Sequence, residues 1–370
     1  MKTVRRLFYL DIVSAVVFVA LAFLSLFFFI DFVDELGDVG KRGYTALDAA
    51  AYSLLEIPGH LYELAPIAVL IGTIYALARM AQSSEFTILR TGGLGPGRAL
   101  SLLAGLGLIF AVFTFVIGDY VAPYAEQQAE ELRSGFSGGR AGAWLKDRQV
   151  STDGEHNVAV NVASAGSGNQ LEGIRIYEFG GDGSLVKRIA AESGTVDRNG
   201  RWALRDVEMT RWSGFDATAP VQQPPRIESS KLEAMDWSSG LSADVVAAAV
   251  LPLATMSTWE LWRYIGHLSA NDQAAQRQEI QFWKRAFYPF ACIVMVALAL
   301  PFAYLHARAG GISLKIFGGI MLGISFVLLN NVAGHLGLLR NWTPWLTALV
   351  PSGLYLLLSL GAFAWLVRYR

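Results

Sequence analysis

Cysteine is nearly missing from this chain. One residue of 370, Cys292, carries a thiol, so no internal disulfide can form. Histidine is sparse too: His60, His156, His267, His306 and His335 are scattered, and no two stand at the i,i+4 spacing of a helical metal pair. Charge is thin and balanced, with charged residues at 16% and a formal net charge of −1. That leaves no basic footprint for nucleic acid. The 53% share of hydrophobic residues excludes a disordered chain.

The most informative absence is local. Runs 12–30, 64–78, 99–118, 286–305, 316–339 and 341–367 carry almost no charge. A helix needs about 20 apolar residues to cross a hydrocarbon core of roughly 30 Å, and most of these runs reach that length. Run 64–78 is short and must borrow Glu63 or Arg79 at an interface. The first run has Lys2, Arg5 and Arg6 before it and no small-residue cleavage site after it, which predicts a permanent span rather than a removed signal. Three spans, a polar insert and three more spans follow. Lys2, Arg5, Arg6, Arg79, Arg90, Arg98, Arg308, Lys315, Arg368 and Arg370 all fall on one side of that layout, which the positive-inside rule makes cytoplasmic. Lys284 and Arg285, just before span 4, run against the rule. Both termini are therefore expected inside and the insert outside.

The insert changes period. Val158-Ala-Val-Asn-Val162, Ile174-Arg-Ile-Tyr-Glu-Phe179 and Trp202-Ala-Leu-Arg-Asp-Val207 alternate apolar and polar residues as half-buried strands do. Gly180-Gly-Asp-Gly183 and Asp197-Arg-Asn-Gly200 supply turn chemistry between them. An antiparallel, jelly-roll-like β domain is expected, with an irregular loop at 219–225. Ser257-Thr-Trp-Glu260 reads as a capping box opening a helix towards Leu268. The expected organisation is 1–118 for spans 1–3, 119–281 for the β domain and 282–370 for spans 4–6.

Two catalytic motifs fail on inspection. Gly92-Gly-Leu-Gly-Pro-Gly97 is followed by Arg98 and Ala99, where a phosphate loop needs Lys and then Ser or Thr, so the chain is not expected to hydrolyse ATP itself. Gly135-Phe-Ser137-Gly-Gly139 matches the nucleophile elbow of serine hydrolases. The charged, helix-like segment before it and the glycines after it favour a bland entry to the sheet. Asp31, Asp34, Glu35 and Asp38 follow span 1 at helical spacing, and read as a solvated cap in preference to a divalent-cation site. Ionisable groups are nearly absent within the spans, which argues against ion coupling and favours an apolar substrate or an externally powered pump.

The cytoplasmic loop between spans 2 and 3 is more promising. Ser83 or Ser84 can cap a short helix over about 83–92, with Glu85 in its first turn, an apolar stripe of Phe86, Ile88 and Leu89, and Gly92-Gly93 as its stop. Such a helix suits a groove on a partner, and Glu85, Phe86, Leu89 and Arg90 are its expected contacts.

The chain resembles the LptF/LptG permease family of the lipopolysaccharide-export ABC transporter, nearer its LptG branch. The resemblance rests on Phe32-Val-Asp34-Glu-Leu36, Tyr52-Ser-Leu-Leu-Glu-Ile-Pro58, Ser84-Glu85 with Gly92-Gly93, and Gly118-Asp-Tyr-Val-Ala-Pro123 with Ala125-Glu126-Gln127. It implies a non-catalytic subunit of the bacterial inner membrane with a periplasmic β domain. The implied partners are an LptF-like permease, an LptB-like ATPase dimer that binds the ATP and Mg, and an LptC-like single-span protein. No cofactor is expected in this chain. Lipopolysaccharide would enter through gates lined by spans 1 and 5 and pass to a periplasmic bridge. The residues expected at the gate are Phe18, Phe23, Leu26, Phe27 and Phe29 on span 1, with Ile320, Ile324, Phe326 and Leu329 on span 5. Some members place lysines just past span 1 for lipid A phosphates. Here Asp31, Gly37 and Asp38 stand there, and only Lys41 and Arg42 remain for a phosphate contact. The alternatives are a permease of another lipid or lipoprotein exporter and, more remotely, a membrane hydrolase using Ser137.

Overall fold

The computed structural model describes residues 2–83, 85, 88, 91, 95–137, 143–151, 154–165, 170–181, 183–197, 199–213, 226–243, 245–246, 253, 255–270, 275–304 and 312–369. Among the described residues, six helices are long and apolar enough to cross a membrane. They are α1 (Lys2–Leu36, span 1), α2 (Ala46–Gln82, span 2), α3 (Pro96–Val116, span 3), α6 (Gln276–Tyr304, span 4), α7 (Ile312–Leu339, span 5) and α8 (Pro344–Tyr369, span 6). Span 3 continues through a π-helical segment, Ile117–Val121, into α4 (Ala122–Ser137).

The helices form one compact unit, Met1–Ala129 with Gln276–Arg370, and Glu130–Ala275 forms a second. The division falls at 129/130 and 275/276 rather than at the 119 and 281 expected from composition. The polar turns that looked like the edge of the insert continue the helices of spans 3 and 4.

Span 2 holds the helical unit together. It starts at Ala46, well before its apolar run, because Thr45 and Asp48 form a capping box. The Thr45 amide donates to Asp48 Oδ2 at 2.9 Å and the Asp48 amide to Thr45 Oγ1 at 3.3 Å. Pro58 and Pro66 lie inside the helix. Its inner part, with Leu70, Ile74 and Leu77 fully buried, packs against spans 1, 4 and 5. Small residues set the closeness of that packing. At Gly72 a side chain would meet the backbone of Val16 on span 1, and at Gly323 of span 5 a Cβ would stand 3.0 Å from Ile67 Cγ2.

The second unit is a single antiparallel sheet of β1 (Ala143–Ser151), β2 (Gly154–Val162), β3 (Ser164–Ala165), β4 (Gln170–Phe179), β5 (Leu185–Val196), β6 (Arg201–Ser213) and β7 (Arg226–Ser238). The order β1-β2-β4-β5-β6-β7 is a meander, with β3 paired to β4. Val158, Val160 and Val162, then Ile174 and Ile176, point into its core as their alternation predicts. Fully buried Trp202 meets Trp237 edge to face with centroids 5.5 Å apart, and its indole N–H donates to the Leu241 carbonyl at 3.2 Å. The β5–β6 turn closes as its Asn-Gly signal suggests: Asp197 Oδ1 accepts from the amides of Asn199 and Arg201 at 2.8 Å, and Gly200 takes φ 76°. The predicted capping box opens α5 (Thr258–Ala270), the Ser257 amide donating to Glu260 Oε2 at 2.7 Å. On α5, burial holds His267 below the ordinary imidazole range, opposed by the Asp147 carboxylate and a backbone bond to Lys146. The loop at 219–225 lies outside the described residues.

Candidate functional site

Span 1 is fully buried along one stripe in its first half and, after that, only at Glu35. Phe8, Ile12, Ala15 and Val16 pack onto the core at helical spacing, whereas no residue from 17 to 34 is fully buried. Beyond Val16 the helix keeps only partial contact with its neighbours, through residues such as half-buried Phe27 and Asp31, and a space opens beside it. A cavity of about 670 Å³ lies between Phe27 of span 1, Glu63, Leu64 and Ile67 of span 2, and Ile324, Val327, Leu328, Asn331, Val332, His335 and Leu336 of span 5. Only Glu63, Asn331 and His335 among these are polar, so the cavity is a greasy trough with a polar end. A trough of that composition suits hydrocarbon.

The structure brings together only part of the expected gate. Phe27 and Ile324 line the cavity. Phe18, Leu26 and Phe29 are exposed on the outer half of span 1, and Phe23 is half-buried there. Ile320 and Leu329 are half-buried on span 5, Leu329 against the helical core. Phe326 does not line the cavity: it is buried in the core, edge to face with Tyr355 at 5.2 Å. On an α-helix, residues 324 and 326 lie about 200° apart, so both cannot face one trough. The gate implied by the resemblance left out span 2, which supplies a wall of this cavity, and the 328, 331, 332 and 335 face of span 5.

The carboxylates after span 1 do not act together. Asp31 Oδ2 lies 2.7 Å from His60 Nε2 of span 2, with the His60 ring 4.9 Å from that of Phe27. Buried Glu35 accepts from the Tyr44 hydroxyl at 3.1 Å, and Asp38 pairs with Lys41 at 2.6 Å. Three of the four thus serve three different partners rather than one shared face. Lys41 is exposed with its charge already met by Asp38, and Arg42, at φ 49°, belongs to the same exposed turn.

A second polar knot ties spans 2, 3 and 4 near the π segment. The Tyr62 ring lies on Gly118, where any Cβ would collide with it. Buried Arg285 donates to the Gly118 carbonyl and stands 5.6 Å from the centre of the Tyr62 ring. The Tyr288 hydroxyl donates to the carbonyl of Glu63.

On the opposite face of the helical unit, Glu85 is helical and exposed, as is Ile88 at 66%, and Thr91 bonds back to the Ile88 carbonyl at 3.0 Å. Ser84, Phe86, Leu89, Arg90 and Gly92-Gly93 lie outside the described residues. The helices flanking this loop are tied to their neighbours. Arg79 of span 2 pairs with Asp11 of span 1 at 3.1 Å, and Tyr9 of span 1 donates to the carbonyl of Leu102 in span 3 at 2.9 Å. Ser137 is the last residue of α4, so a helix stands where the elbow of a hydrolase needs a strand.

Comparison with known proteins agrees with this architecture. The family described as "Lipopolysaccharide export system permease LptF/LptG" matches residues 6–368. The chain is similar to the lipopolysaccharide export system permease protein LptG of Escherichia coli strain K12, 29% identical over 332 residues that cover 90% of this chain and 89% of that one. It is also similar to the LptG of Haemophilus influenzae, 27% identical over 358 residues covering 96% and 97%. Six apolar helices, an antiparallel domain inserted between the third and fourth, and a match along nearly the whole sequence lead to one conclusion: the chain belongs to the LptF/LptG family of lipopolysaccharide export permeases.

Proposed function

We propose that this chain is the LptG-like wall of an ATP-driven exporter that takes lipopolysaccharide from the inner membrane and passes it to a periplasmic bridge. The observation that carries the reading is the apolar cavity between spans 1, 2 and 5, beside an outer half of span 1 whose Phe18, Leu26 and Phe29 stay exposed. Burying one methylene contributes about 0.8 kcal/mol, so acyl chains in the trough supply the holding energy without any charge. Narrowing the trough then expels them. The exposed faces of spans 1 and 5 are suited to an LptF-like partner that completes the chamber.

The chain itself does no chemistry in this reading. ATP and Mg belong to an LptB-like ATPase dimer, and Glu85 with exposed Ile88 is the docking point through which that ATPase moves the helices. An LptC-like single-span protein completes the set. The side of Glu85 is cytoplasmic and the β domain periplasmic.

The test is a photo-crosslinker at position 27 or 328 in the assembled complex. It should capture lipopolysaccharide, and capture should fall when ATP is hydrolysed. A crosslinker at 326, inside the core, should capture none. Capture of phospholipid or lipoprotein alone from both cavity positions would overturn the substrate and point to another exporter.

A further inference from the structure

Of the two cations that contradict the charge asymmetry of the spans, one is accounted for. Arg285 is spent on the Gly118 carbonyl and the Tyr62 ring. Lys284 is not. It is only partly exposed, and its ammonium lies against Gly334 of span 5, where an added Cβ would collide with Nζ and stand 2.9 Å from Cε. Gly334 immediately precedes His335 and is one helical turn from Asn331, both of which line the cavity. One turn further along span 4, Tyr288 is bonded to the carbonyl of Glu63, a third lining residue. Positions 284 and 288 share a helix face, so Lys284 stands beside the polar end of the trough, between spans 2 and 5.

Among the described residues Lys284 makes no ion pair and no hydrogen bond. A half-sheltered ammonium with no counter-charge is costly, and an anion brought to it gains more than at an exposed, already paired cation such as Lys41. The other charged or titratable groups around this end include Glu63, His335 and the Asp31–His60 pair, with Arg285, Asp119, Glu56 and Glu126 in the same region as Glu63. Glu63 is exposed and forms no ion pair with Lys284. The trough is apolar beside this cation, so its ligand carries a hydrocarbon chain and an anionic head on one molecule.

We infer that Lys284 binds the phosphate headgroup of an acylated lipid whose chain lies in the cavity between spans 1, 2 and 5. The inference rests on reading that cavity as the lipid site. The Gly334 contact gives the head a fixed seat, because a side chain there would displace the ammonium.

The experiment measures binding of two probes to the purified full complex in zwitterionic nanodiscs at low salt: lipopolysaccharide, and the same lipopolysaccharide with its phosphates removed enzymatically. Lys284→Gln should weaken the phosphorylated probe about tenfold and leave the dephosphorylated one unchanged, while Lys284→Arg keeps most of the affinity. Inorganic phosphate at millimolar concentration should not displace the lipid; if it does, and does so through Lys284, the site takes free phosphate and the lipid assignment is overturned. Ile324→Trp, which fills the trough, separates the two readings. If it weakens both probes while Lys284→Gln affects both equally or neither, the cavity stands and the role of Lys284 falls. If it leaves both probes bound, the lipid cavity falls with it.

Discussion

Replacing Arg285 by Met tests whether the knot at the π segment holds spans 2, 3 and 4 in register. Arg285 is 7% exposed, so its interactions need little discount for screening by water. Methionine keeps much of the stem but removes the charge-assisted bond to the Gly118 carbonyl, about 1.5–3 kcal/mol. It also removes the cation–π contact with Tyr62, about 1 kcal/mol. The two together come to about 3 kcal/mol, or roughly a hundredfold in a local opening equilibrium. Global denaturation is the wrong assay for a chain of two units, because it is not a two-state process. Hydrogen exchange of the amides from Ile117 to Ala125 reads the opening directly. They should exchange about a hundredfold faster in Arg285→Met and about tenfold faster in Arg285→Lys, which keeps a donor but loses the planar fork. Unchanged protection in Arg285→Met would show that the π segment is held by its own backbone and that the arginine is a bystander.

Three further outcomes follow from named contacts. Glu85→Lys should leave the protein inserted and folded but lower lipopolysaccharide-stimulated ATP hydrolysis severalfold and stop export in the reconstituted complex; normal export would remove the docking role of Glu85. Asp11→Arg and Arg79→Asp should each weaken coupling of ATP use to transport, and the double exchange should restore part of it, since a half-exposed pair at 3.1 Å is worth about 0.2–1 kcal/mol. His267 titrates below its ordinary value because it is buried, so the unfolded state takes up the proton first. Its contribution to β-domain stability is therefore present above about pH 6.5 and lost as pH falls below it. Protection of the β1 amides, taken relative to the intrinsic exchange rate at each pH, should fall between pH 7.5 and 5.5, and less so in His267→Asn.

Much of this architecture can be read from residues that act alone or within one turn. Charge-free runs mark the spans, Val158–Val162 alternates as a strand does, and the Ser257 and Glu260 box opens its helix. What escapes such reading depends on distance. Span 2 is hidden over 46–63 because Asp48, Glu56, His60 and Glu63 break its apolar run, although Thr45-x-x-Asp48 was the available start signal. Asp31 looks like one of four carboxylates until His60, 29 residues on, takes it. Strand β7 does not alternate, since most of its residues are exposed on both faces, and so it offers no period to detect. Phe326 differs from Ile324 only in helical phase, which matters once the neighbours of span 5 are known. The isolation of Lys284 is likewise a property of what surrounds it.

The meander has a consequence for how the molecule is made. Each long strand after β1 pairs with one already synthesised, and only the two-residue β3 waits, for the β4 that follows it directly, so the sheet can grow nearly strand by strand as the polypeptide emerges. The membrane half has the opposite history. Span 2 must bury Leu70, Ile74 and Leu77 against spans 4 and 5, which leave the ribosome only after the whole β domain. During that interval span 2 has span 1 as its main shelter, gripped through Gly72 and Val16 and locked at one end by Asp11 and Arg79. The first hairpin of the nascent chain is thus its own chaperone, and substitutions that loosen it should be felt as quality-control degradation before any mature protein exists to fail at transport.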